Sequence, residues 1–233
     1  MSPAANKPTI LIVAGEAMAA RDLEQQLWAS GFAPVGHATT VTQALVLAGA
    51  LRPDLVLMDL QAPGAAVTWS ATETIRAQFA VPVVFLTAPA EGEADNRAGL
   101  PEPPACLAKP FTDRELRAVL ELSLYQRRME ARLELSEQRF RTIFDAEPEC
   151  VKVVGLHDEL LEMNVAGLAI LEADSVEEVK ALSLFNFILP EYHAAFRALH
   201  KDAIAGKSGL LEFEVVGLRG TRRWLETHAA PIA

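Results

Sequence analysis

Three residues whose types could act together stand at the ends of three apolar runs. Leu55-Val56-Leu57-Met58 ends in Asp59 and is followed at once by the turn-forming stretch Leu60-Gln61-Ala62-Pro63-Gly64. Val83-Val84-Phe85-Leu86 ends in Thr87, and Cys106-Leu107-Ala108 ends in Lys109-Pro110. A buried parallel strand delivers its last side chain to the mouth of an α/β sheet. A carboxylate, a hydroxyl and an ammonium would therefore meet at one edge, a set that suits a phosphoryl group. Phosphoryl transfer is mostly positioning and charge neutralisation. Lys109 is a compact cation able to pair with Asp59 and later with a phosphoryl oxygen, and Thr87 could donate a hydrogen bond to another. A lone Asp at a strand end could merely cap a loop; the conjunction of the three carries the reading.

The elements that must position them alternate along residues 9–122. Thr9–Val13 is a β-branched run and reads as the first strand. Residues 17–30 have helical spacing at Leu23, Leu27 and Trp28 and stop at Gly31, a natural helix end. Ala33–Ala38 is a short strand. Residues 41–51 predict a helix with Val41, Leu45 and Ala48 on one face, stopped before Pro53. A third helix is expected at 68–79, a fourth strand at Val83–Leu86 and a fifth at Ala105–Ala108. Alternation of this kind implies a doubly wound, five-stranded parallel sheet covered on both faces by helices. The segment 88–104 is poor in helix signals, because Pro89, Gly92, Gly99, Pro101, Pro103 and Pro104 leave only Glu91–Ala98 for a short helix.

The strand-end trio and its order resemble the receiver domain of two-component response regulators, a flavodoxin-like α/β fold, here over residues 7–122. The resemblance implies that Asp59 is the phosphoacceptor. It also implies that Thr87 shifts inward when phosphate arrives, and that Lys109-Pro110 is the family's Lys-Pro pair. Such domains take Mg²⁺ from an acidic pair directly after the first strand. Here Ile10-Leu11-Ile12-Val13 continues as Ala14-Gly15-Glu16, with Ala14 and Gly15 where the acids belong. Neither side chain binds a metal, and Glu16 stands one position late, so its carboxylate should aim elsewhere. Asp59 and the backbone carbonyl of Gln61 remain as ligands, with Glu16 a weak third. That is a thin set for a cation wanting near-octahedral oxygens, so Mg²⁺ binding and Mg²⁺-dependent phosphorylation are expected to be weak. The family also carries an aromatic residue three positions before the lysine, where this chain has Cys106. The expectation is a degenerate receiver acting by protein contacts. One alternative is an active phosphoacceptor modified on Asp59 by a partner histidine kinase. Another is a hydrolase using Asp59 on a small phosphoester, which would need further acids for its metal.

Residues 112–145 read as one long helix. Thr112 with Glu115 forms a capping box. A heptad seam runs Val119, Leu122, Gln126, Met129, Leu133, Ser136, Phe140, Ile143, and six of its eight members are apolar. Arg127, Arg128, Glu130 and Arg132 flank it. This pattern predicts a parallel homodimeric coiled coil over 119–143.

After Pro148 the character changes. Cys150–Val154 and Leu160–Met163 predict a hairpin around His157-Asp158-Glu159, and Asn164 a cap for a helix through Leu171. Helices are expected at 175–181 and 191–205. Leu211–Val215 and Arg222–His228 alternate at period two about the turn Arg219-Gly220-Thr221. With Ser136-Glu137-Gln138-Arg139-Phe140, Leu161-Glu162-Met163-Asn164, Phe187-Ile188-Leu189-Pro190-Glu191 and Arg222-Arg223-Trp224-Leu225-Glu226, residues 146–233 resemble a PAS sensory domain. PAS domains have an antiparallel α+β sheet of five strands. Four are present, so the expectation is a fragment cut before the last strand. The resemblance implies an apolar cavity lined by Val153, Leu161, Leu168, Leu171, Leu184, Phe187, Ile188, Phe196 and Phe213, or an ordinary packed core in its place. No haem or flavin is expected: His193 should face solvent, no flavin-binding cysteine motif is visible, and Cys150 reads as core.

Bulk properties narrow the remaining classes. The 233-residue chain is 51% hydrophobic and 22% charged, enough to bury two small cores. Its net charge of −10 argues against nucleic-acid binding. Cys106 and Cys150 lack metal-ligand spacing and fit reduced thiols in a cytoplasmic protein. No run approaches the roughly 18 apolar residues of a membrane span. The reading is a regulatory piece of a phosphorelay, not an enzyme itself, with a histidine kinase or phosphotransfer protein as partner. The family arrangement places it as the N-terminal part of a hybrid sensor histidine kinase.

Overall fold

The computed structural model describes residues 7–59, 74–87 and 105–232, which form two compact units divided between Leu133 and Glu134. In the first unit β1 (Thr9–Val13), β2 (Ala33–Ala38), β3 (Leu55–Asp59), β4 (Val83–Thr87) and β5 (Ala105–Ala108) pair in parallel in the order β2-β1-β3-β4-β5. Each inner strand is buried on both faces, which is why it reads as a continuous apolar run. Period two splits these side chains between two cores. Ile10, Ile12, Leu55, Leu57, Val84 and Leu86 meet α1 (Ala17–Ala29) and the start of α4 (Asp113–Ala146). Leu11, Val13, Val56, Met58, Val83 and Phe85 meet α2 (Val41–Leu51) and α3 (74–79).

The ends of α1 and α2 follow from their residues. In α1, Ala20, Leu23 and Leu27 face the sheet, and Gly31 then takes φ +92°, a conformation without penalty for glycine. Phe32 N–H donates to Leu27 O at 2.9 Å and Gly31 N–H to Trp28 O at 3.2 Å, closing the last turn as a Schellman motif. Trp28, grouped by spacing with Leu23 and Leu27, instead points outward with 53% exposure, one position past the buried stripe. In α2 the buried pair is Ala44 and Ala48, not Val41; Leu45 and Leu47 pack at its flanks. Thr40 caps it by accepting from Gln43 N–H at 3.2 Å. The expected third helix falls partly, and the expected Glu91–Ala98 helix wholly, outside the described residues.

The capping box forms at the start of α4. Thr112 N–H and Oγ1 donate to Glu115 Oε2 at 2.8 and 2.9 Å, and Glu115 N–H donates to Thr112 Oγ1 at 3.3 Å. Those two bonds hold the Glu115 carboxyl below its usual pKa. Leu116, Leu120, Ser123 and Leu124 are the buried face of α4 in the first unit. Val119, placed by spacing on the heptad seam, packs against that core. Leu122, Met129, Leu133, Phe140 and Ile143, the other apolar seam positions, are exposed.

The second unit contains two antiparallel pairs, β6 (Lys152–Val154) with β7 (Leu160–Met163) and β8 (Gly209–Val216) with β9 (Arg222–Ala229). Between them run α5 (Val165–Leu171), α6 (Val176–Leu182) and α7 (His193–Ile204). Leu160, Met163, Leu171, Val179, Phe187 and Phe213 belong to one apolar cluster. Most of the lining expected for a cavity is thus packed core: Leu171, Leu184, Phe187, Ile188, Phe196 and Phe213 are each 5% exposed or less.

Asn164, fully buried, organises the start of this unit. Its Oδ1 accepts from Val151 N–H and Gly167 N–H, both at 3.0 Å. Its Nδ2 donates to the carbonyls of Glu147 at 3.2 Å and Glu149 at 2.8 Å. Every hydrogen-bonding position the amide needs is filled, as a buried polar group requires. Glu172 does similar work at the far turn. It accepts from Arg219 N–H at 2.8 Å and Thr221 Oγ1 at 2.5 Å, and lies 3.5 Å from Arg223. A Cβ on Gly217 would come within 2.6 Å of that carboxylate and would push it away from these partners.

Candidate functional site

The register of the first sheet brings the strand-end residues together. Asp59 is the last residue of β3 and pairs across with Leu86; Thr87 ends β4 opposite Ala108. Lys109 follows directly, and its N–H donates to Thr87 O at 2.8 Å. Its side chain then crosses β4 to reach β3, where Nζ lies 2.5 Å from Asp59 Oδ2. The Lys109–Pro110 peptide is cis. Asp59 and Thr87 are only 6% and 3% exposed, whereas the Lys109 side chain keeps 29%. A carboxylate so buried needs a partner, since an unpaired charge in a low-dielectric site is costly. The arrangement can present one carboxylate oxygen to an electrophile while a cation and a hydroxyl stand beside it.

The first strand contributes no acid. Val13 pairs with Met58, so Ala14 falls beside Asp59. Ala14 is fully buried and belongs to the apolar cluster. Its N–H donates to Ala38 O at 3.0 Å, and its carbonyl lies 3.1 Å from His37 Nε2. That carbonyl is thus already engaged, by a histidine that nothing in the sequence pattern singled out. Gly15 offers no side chain. Glu16 is exposed, takes extended backbone before α1 and makes no capping bond. Gln61 lies outside the described residues. Among the described residues no group of three His, Cys, Asp or Glu side chains could hold a metal. Among the described residues Asp59 is the one carboxylate at these strand ends, and it is paired with an ammonium. Cys106 pairs with Phe85 across β4 and β5 and packs against the second core.

In the second unit the histidines differ from one another. His193, expected toward solvent, is part-buried instead. Its Nε2 lies 2.8 Å from Ile188 O and 3.1 Å from Phe185 O, so it pins the turn before α7. His228 pairs with Glu226 at 3.0 Å on an exposed strand face. His200 Nδ1 meets Asp158 Oδ1 at 2.5 Å. Burial pushes the Cys150 thiol above its usual pKa, which keeps it protonated and unreactive. No helix among the described residues is long and apolar enough to cross a membrane.

Comparison with known proteins covers the first unit. Residues 10–121 match the response regulator receiver domain family. Over 117 residues the chain is 34% identical to the phyllosphere-induced regulator PhyR of Methylorubrum extorquens, covering 50% of this chain and 43% of that one. Over 115 residues it is 34% identical to the transcriptional regulatory protein PdtaR of Mycobacterium tuberculosis, covering 49% and 56%. The matched segment therefore spans about half the length of these relatives. The crystal structure of the response regulator PhyR from Brucella abortus aligns with a TM-score of 0.48 at 28% identity, over 57% of this chain and 54% of that one. Over residues 10–121 the chain is similar to the response regulator receiver domain, a signalling module of two-component systems.

Proposed function

We propose that this receiver is degenerate and signals through protein contacts, with Asp59, Thr87 and Lys109 as a retained but metal-poor phosphoacceptor site. The observation that carries the reading is the apolar, fully buried Ala14 beside Asp59, where a metal-binding carboxylate would be needed. Lys109, at 2.5 Å, neutralises Asp59 but offers a metal no oxygen ligand. In this reading α4 carries the output. Exposed Leu122, Met129, Leu133, Phe140 and Ile143 pair with the same stripe of a second copy, and residues 146–233 act as a PAS-like sensor on the same helix. The partner is a histidine kinase or a phosphotransfer protein, and the full protein would be a hybrid sensor kinase.

A second reading, an active phosphoacceptor, is favoured by the intact trio and by Glu16, whose exposed carboxylate makes no capping bond. Beryllofluoride with Mg²⁺ separates the two. The degenerate reading expects no Mg²⁺-dependent change in amide spectra near Asp59. A robust change lost in Asp59→Asn would establish the active one. For the helix, light scattering should give twice the chain mass for the native protein and the single mass for Leu133→Asp; equal masses would remove the dimer.

A further inference from the structure

The stretch of α4 that leaves the first unit is tied to a corner that the strand-end chemistry does not use. The buried face of α4 in that unit ends at Leu124. Three residues on, Arg127 Nε donates to the backbone carbonyl of Ala80 at 2.6 Å, across 47 positions of sequence. Ala80 stands between α3 and β4. Its N–H donates to Arg76 O at 2.9 Å, and it takes φ +54°, a left-handed conformation that is costly for a residue with a Cβ.

An arginine beside a helix C-terminus can simply offset the helix dipole, and a mobile surface arginine does so from solvent. This one is held in place. Its hydrogen bond to Ala80 is short and charge-assisted. Its Nη1 lies 3.9 Å from Glu130, a turn further along the same helix. Its side chain keeps only 25% exposure, against 60% for Arg117 on the same helix. The carbonyl it meets is presented by the left-handed turn; a right-handed residue 80 would carry that oxygen elsewhere. β4 begins at Val83 and ends at Thr87, whose carbonyl accepts from Lys109 N–H at 2.8 Å shortly before α4 starts at Asp113. α4 is thus joined to both ends of the β4 segment, near its start through Lys109 and near its exit through Arg127.

We infer that Arg127 and Ala80 form a clasp that governs the exit of α4. Residues 125–132 are held against the first unit while residue 80 keeps its left-handed turn, and are let go when that turn is lost. Arg127 acts here as a positioning residue. Two backbone states of a single residue then decide whether a stretch of exposed helix is held, the kind of discrete element that a regulatory signal can bias. The clasp needs neither a phosphoryl group at Asp59 nor a second copy of the chain.

Hydrogen exchange of the full chain, followed by mass spectrometry, tests it. Every protein also carries Leu133→Asp, so that pairing of two helices cannot hold the same stretch. Arg127→Met keeps an unbranched stem and good helix propensity but removes the donors. It should speed exchange over 125–132 about tenfold or more, as loss of a charge-assisted hydrogen bond does, and leave 116–124 unchanged. Ala80→Val should release the same stretch with Arg127 intact, because a β-branched residue resists a positive φ. Ala80→Gly, at ease in that turn, should leave it as slow as in the parent. Arg127→Met/Ala80→Val should exchange no faster there than the faster single variant, since both break one contact. Unchanged exchange over 125–132 in Arg127→Met, equal acceleration over 116–124, release by Ala80→Gly, or additive effects in the pair would each overturn the inference.

Discussion

Lys109→Met tests the electrostatics of the strand-end site directly. The substitution keeps an unbranched side chain one atom shorter and removes its charge. It leaves the carboxylate of Asp59, 6% exposed, without an ammonium that stood 2.5 Å away. Two unit charges about 4 Å apart near a protein surface attract by roughly 4 kcal/mol, and closer contact strengthens this. The 29% exposure of the Lys109 side chain screens part of that energy, and fixing a flexible lysine costs rotamer entropy. A loss of about 2–3 kcal/mol for the receiver unit follows, mostly from the carboxylate's lost ammonium. The partner variant separates causes. Asp59→Asn replaces the charge by a neutral amide, so Asp59→Asn/Lys109→Met should recover about 1–2 kcal/mol relative to Lys109→Met alone. Urea unfolding of the four proteins at pH 7.5, each carrying Trp69→Phe and Trp224→Phe and followed by Trp28 fluorescence, gives the cycle. If Lys109→Met unfolds at the parental urea midpoint, or if Asp59→Asn brings no recovery, the carboxylate is not held by this pairing and the account of the site fails.

Four further outcomes follow from the geometry. Gly15→Asp with Ala14→Glu should strengthen Mg²⁺-dependent beryllofluoride binding over the parent; calorimetry with Mg²⁺ alone checks it, and unchanged heats would mean that missing acids are not what limits the metal. Asn164→Ala should cost about 2–4 kcal/mol by chemical denaturation, because a fully buried amide with four hydrogen bonds leaves unpaired groups behind. Asn164→Asp should be worst at high pH, since its buried carboxylate faces two carbonyl oxygens and is relieved only by protonation. The Thr221 hydroxyl, with the 219 and 221 backbone and Arg223, lowers the Glu172 carboxyl below its ordinary value of 4.5 against the opposing effect of desolvation. A lowered folded value stabilises above pH 4.5 and is lost as pH falls through the folded value, so acid unfolding should be shallower in Glu172→Gln. Equal acid slopes would place the stabilisation elsewhere.

The strand-end trio was legible because doubly buried parallel strands leave an unbroken apolar run whose end is sharp. Thr112 with Glu115 and Asn164 were legible for a different reason: their caps are local, three residues apart. What depends on rotation about a helix was read less well. Trp28 and Val41 share the spacing of buried neighbours, yet the buried stripes of α1 and α2 pass beside them. Val119 fits the heptad but also fits the buried face of α4, and the first-unit core claims it. His193 could not be placed, because the carbonyls it meets come from a turn whose path no periodicity describes.

Lys109 touches two neighbouring strands with different atoms, its amide on β4 and its ammonium on β3. A displacement of the Thr87 peptide would therefore tug the very group that neutralises Asp59, and a change of charge at Asp59 would pull back on β4. The two strand tips form a mechanical linkage with a single pivot. Any partner that grips one of them acts on both, whether or not a phosphoryl group ever arrives.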